Sequence, residues 1–143
     1  MEKNNRPYSA PHSLRLAFAS DFASIGAIHN RWFGNLKNGK AWISVPEVPG
    51  SLLPGCASDG KTPPLYTINI KFRVSYDSEE NRREIEGWTT EGVVATYISA
   101  SGKAMVAGSK MHPLTFSFSK VEGFDGYDCT LAGIQTTPES FMQ

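Results

Sequence analysis

The residues from Gly55 to Thr62, GCASDGKT, match the phosphate-cradling pattern G-x-x-x-x-G-K-[ST] letter for letter. Such a loop works because a buried strand enters it and a helix leaves it, so that backbone N–H groups and the helix dipole point at the phosphate. Here PGSLLP precedes the string, and Pro63 and Pro64 follow it directly. A proline after Thr62 disfavours the helical conformation at Thr62, and Pro64 deprives the next turn of a donor. The string is therefore expected to be a loop without nucleotide, and no cofactor is expected.

The other groups capable of chemistry are scattered. His12, His29 and His112 have no second ligand at metal-binding spacing, so no metal site is assigned. His29 is expected at a surface or boundary position, and His112, before Pro113, in a turn. Cys56 and Cys129 form no C-x-x-C pair and are expected to be buried thiols; a disulfide between them would require an oxidising compartment. No catalytic residue is assigned, because G-x-S-x-G is absent and a serine or cysteine nucleophile needs a base within reach. Glu79, Glu80, Glu84, Glu86 and Glu91 cluster with Arg82 and Arg83 and are expected to form a solvated charge ladder near a hairpin, not a paired-carboxylate site. Trp32, Trp42, Trp88, Tyr97 and Tyr127 combine apolar area with a polar handle and could serve as core or as stacking platforms. A ligand-binding face would draw on Trp42, Trp88 and Tyr97.

The elements that must position these groups are mostly strands. Tyr66, Ile68, Ile70, Phe72, Val74 and Tyr76 alternate with Thr67, Asn69, Lys71, Arg73 and Ser75, the pattern of a long half-buried strand. Residues 82–90 are expected to return as a second strand, forming an antiparallel hairpin. Runs over 93–99 and 103–107 flank Ala100-Ser101-Gly102 as another hairpin. Leu114, Phe116 and Phe118 alternate, as do Tyr127, Cys129 and Leu131 after the turn at 123–126. Leu14, Leu16 and Phe18 suggest a short strand, and residues 41–45 another. Phe22, Ile25, Ile28, Trp32 and Leu36 have the three- and four-residue spacing of a helix face, so one helix is expected near residues 20–34. The fold class expected is mainly β, all-β or α+β: an antiparallel sandwich or small barrel with that one helix.

The chain has 143 residues, 40% of them hydrophobic and 20% charged, a balance that suits one domain with a real core. Residues 1–13 are expected to form a polar N-terminal arm, 46–64 a long Pro/Gly-rich loop, and 135–143 a C-terminal tail. Fourteen basic against fourteen acidic residues give no net charge. That removes the electrostatic footprint of a nucleic-acid or anionic-membrane binder and favours self-association. No apolar run approaches the roughly 18 residues of a bilayer span, and the start, MEKNNRPYSAPH, lacks the apolar stretch of a signal peptide. The expected location is cytoplasmic at synthesis, then an assembled particle such as a virion.

The polar arm, the long strand LYTINIKFRVSY, the hairpin VVATYISASGKAMVAG and the closing strand GYDCTLAGIQ with its extended tail resemble the small β-rich proteins that build tails, baseplates or shells of tailed bacteriophages and related injection devices. The resemblance implies oligomerisation through strands and arms, without catalysis or cofactor, and partners that are further copies or other structural subunits. Strand addition at sheet edges would be its mechanism. Two other readings stand beside it: a carbohydrate- or other ligand-binding sandwich using exposed aromatics, and an enzyme assembled from scattered residues such as His29, Asp125 or Asp128. No small ligand is expected of the structural subunit.

Overall fold

The computed structural model describes residues 12–28, 31–137 and 139–142, and the side chains of all of these except 12–13, 26–28, 31–33, 140 and 142. In chain order the elements are β1 (His12–Phe18), a 3-10 turn (Ala19–Asp21), β2 (Phe22–Ile28), β3 (Arg31–Leu36), β4 (Ile43–Ser44), β5 (Cys56–Ser58), β6 (Tyr66–Ser75), α1 (Glu79–Gly87), β7 (Val93–Ile98), β8 (Ala104–Ala107), β9 (Thr115–Lys120), β10 (Gly126–Gln135) and β11 (Ser140–Met142). The mainly-β class read from the alternating segments is the class observed.

One sheet has the order β2-β3-β11-β8-β7-β1-β4, the other β5-β6-β10-β9. They face each other across one core. Leu14, Leu16, Ala95, Tyr97 and Ala107 line it from the first sheet, and Ile68, Ile70, Phe72, Val74, Phe116, Cys129 and Leu131 from the second. The alternation in β6 dictates this: its even-numbered side chains turn inward while Thr67, Asn69, Lys71 and Arg73 stay exposed. Each Ile or Phe so buried contributes roughly 1.5–3 kcal/mol. A run of rings crosses the interior, from Trp88 edge-on to Phe116 (centroids 5.5 Å apart), through Phe118, to Tyr127 (4.5 Å from Phe118) and Tyr76.

Strand β7, VVATYI, is buried on both faces, which is why it reads as a nearly continuous apolar run. Its outward face, Val94, joins Ala17, Phe22 and Val106 in a second small cluster that Ile25, Leu36 and Trp42 cover. That cluster explains why the described residues of 20–34 form no α-helix. The segment is instead the 3-10 turn and the antiparallel β2–β3 hairpin, with Ile25 opposite Gly34 and Gly26 opposite Phe33. Glycine in a helix interior costs about 1 kcal/mol relative to Ala, and Gly26 would sit in the middle of this one. An extended ribbon also lays Phe22 and Ile25 across the back of β7 and β8.

Residues 79–87, expected mostly in a returning strand, are helical. Ser78 accepts the Asn81 amide at 3.1 Å as an N-cap, Glu79 and Glu80 occupy the positive first turn, and Glu79–Arg83 and Arg82–Glu86 pair one turn apart. Ile85 and Trp88, three residues apart, then enter the core together. In place of the expected partner, β6 pairs along its whole length with β10.

The residues taken for a long loop, 46–64, supply the other neighbour of β6. Val48 N donates to Arg73 O (2.7 Å), Leu53 exchanges both bonds with Lys71, and Asn69 N donates to Gly55 O (2.8 Å) before β5 continues the ladder. Within the C-terminal tail, Ser140–Met142 join the first sheet as β11, between β3 and β8. The arm residues 1–11 lie outside the described residues; His12 already pairs within β1.

Candidate functional site

The two edges of the four-stranded sheet differ in kind. Along the first, the backbone groups of Val48, Leu53 and Gly55 point at β6, so Pro49 and Pro54 fall on residues whose nitrogen faces outward. Proline has no N–H to offer there. Gly50, at φ 80°, and Ser51, whose Oγ accepts the Arg73 amide at 3.1 Å, bulge the chain between them. Prolines and bulges are the means by which edges are closed to foreign strands.

The opposite edge, β9, has neither device. At its entrance Leu114 exchanges hydrogen bonds of 2.8 and 2.9 Å with Val93 of β7, so its backbone groups point away from β10. Phe116, Phe118 and Lys120 share its parity and also turn their N–H and C=O outward. No described residue bonds to them. Thr115, Ser117 and Ser119 are exposed on the outer face, while Phe116 and Phe118 pack inward. The sequence from Leu114 to Ser119 contains no charge. In the other sheet β4 spans only Ile43–Ser44, and at the start of the β2 edge Phe22 O accepts from Lys110 Nζ at 3.0 Å.

The residues singled out for chemistry do not converge. Trp88 and Tyr97 are 2% and 3% exposed, and Trp42 is half-buried and edge-on to Phe22, so these three do not form a stacking face. The buried pair packs because each strand or helix terminus that carries it faces the core. His29 lies outside the described residues, as does the side chain of His12. His112 closes a turn, its amide donating to Ser109 Oγ at 3.0 Å. Asp125 is exposed, and Asp128 spends its carboxylate on Arg73 across the β6–β10 ladder at 2.9 Å. Contrary to expectation Cys56 is exposed; Cys129 is buried, and burial pushes its thiol up to about 12.

In the GKT loop, Asp59 Oδ1 accepts the amides of Lys61 (2.9 Å) and Leu65 (3.2 Å). The Lys61 amide, a donor that a phosphate loop would use, is thus turned to an internal carboxylate. The glutamate cluster holds one structural device: Tyr127 and Arg82 (3.0 Å) both donate to Glu86, tying α1 to β10. The Tyr127 bond first, then Arg82, lowers the Glu86 carboxyl, while burial and the Glu86 bond raise the Tyr127 hydroxyl. The hollow between Leu53, Lys71, Arg73, Asp128 and Thr130, about 400 Å³, is open and shallow. Among the described residues no group of His, Cys, Asp and Glu could hold a metal, and no helix is long and apolar enough to cross a membrane.

No protein family, curated protein or solved structure matches this chain.

Proposed function

We propose that the chain is a non-enzymatic structural subunit of a larger assembly, of the tail, baseplate or shell type, which associates through strand edges and its N-terminal arm. The observation that carries this reading is the asymmetry of the four-stranded sheet. One edge is closed by Pro49, Pro54 and a bulge, whereas β9 offers the uncharged backbone of Phe116 and Phe118 to a further strand. A chain without net charge meets no long-range repulsion from its own copies.

Light scattering across a wide range of concentrations tests the reading. The expected result is a mass above the 15.7 kDa of one chain that grows with concentration. An unchanging monomer, alone and with other structural subunits of the same particle, contradicts it.

A further inference from the structure

Building on the subunit reading, we propose that the partner of β9 is β9 of a second copy, paired antiparallel about a two-fold axis through Phe118, so that the two four-stranded sheets run on as one.

The register follows from which backbone groups remain open. Leu114 has spent its N–H and C=O on Val93, leaving Phe116, Phe118 and Lys120. An antiparallel pair uses all three only when Phe118 meets its own counterpart and Phe116 meets Lys120 of the other copy. Any slip toward the strand entrance brings the occupied Leu114 opposite an open residue, and a slip the other way runs into the turn after Val121, whose amide already donates to Gly126 O at 3.3 Å. Side-chain chemistry agrees with this register. Lys120 faces Phe116, so no like charges are opposed, and on the outer face Ser117 of each copy stands opposite Ser119 of the other, both exposed. A two-fold contact of this kind uses one patch against itself, which closes the association of that edge.

Exchanging charges tests the register. In S117K/S119K each new lysine faces a lysine of the other copy, and the dissociation constant should rise on the order of tenfold. In S117K/S119E each lysine faces a glutamate across the axis, and association should return to at least the wild-type level. Both positions are exposed, and thermal melting of each variant checks that the fold is kept. If S117K/S119K associates as tightly as the wild type, or S117K/S119E fails to recover, β9 self-pairing is overturned while the subunit reading stands. If the wild-type chain itself never associates, alone or with other structural subunits of the same particle, both are overturned.

Discussion

Tyr97 donates a 2.7 Å hydrogen bond from its hydroxyl to Glu139 Oε1, tying β7 to the residue that immediately precedes β11. Because β11 lies between β3 and β8, this bond anchors the strand that joins the β2–β3 hairpin to the rest of its sheet. Burial raises the Glu139 carboxyl above its ordinary value of 4.5, and the Tyr97 bond only partly offsets this.

The sign of the resulting pH dependence is fixed. From 4.5 up to its raised native value, Glu139 keeps a proton when folded that the unfolded chain has lost. This contribution is full below 4.5 and declines as pH rises through that window. Urea midpoints measured over the window should fall with rising pH in the wild type and flatten in Glu139→Gln. Equal slopes would show that Glu139 is not the group responsible.

Glu86 acts in the opposite sense. Its carboxyl is lowered, chiefly by Tyr127 and then Arg82, so its contribution is present above 4.5 and lost as pH falls through the lowered value. Glu86→Gln should reduce the acid loss of helicity seen by circular dichroism below pH 4.5, and leave the Glu139 window unchanged.

Trp88 is the largest fully buried side chain and sits edge-on to Phe116. Trp88→Ala should cost about 3–5 kcal/mol in chemical denaturation. Trp88→Phe should cost clearly less. It keeps most of the apolar volume and removes an indole N–H that finds no partner among the described residues, a liability of about 1–3 kcal/mol.

Ser78 caps α1 through the Asn81 amide. Ser78→Ala should lower stability by about 1 kcal/mol, and Ser78→Asp should restore it. Loss of the same amount from both variants would remove the cap from the account.

Period-two alternation made β6, β9 and β10 legible in the sequence, because each buries one face and leaves the other in water. The β7–β8 hairpin was legible from its Ala100-Ser101-Gly102 turn. The spacing of Phe22, Ile25 and Ile28 misled because a register shift after Phe22 lets an extended ribbon bring Phe22 and Ile25 to one face, and only the apolar back of β7 and β8, which that face covers, decides against a helix. Helix α1 had a readable signal in Ser78, Glu79 and Glu80 followed by pairs four apart, outweighed by the expectation that a long strand returns directly. The ladder formed by residues 46–58 was hidden by its prolines, which mark an edge strand as readily as a loop. Trp88 and Tyr97 lie in the core and Trp42 only partly so, a difference that ring type does not reveal. The open edge of β9 depends on strand order, which composition and spacing do not contain.

The central claim, that β9 is an open edge which another copy closes, is tested most directly by amide exchange at Phe116 and Phe118 in dilute and concentrated wild-type protein. Leu131, on a strand paired along both sides, serves as the slow reference. The account predicts rapid exchange at both phenylalanines in dilute solution and protection that rises with concentration, while Leu131 stays slow throughout. Exchange at Phe118 that is equally rapid at every concentration would contradict it.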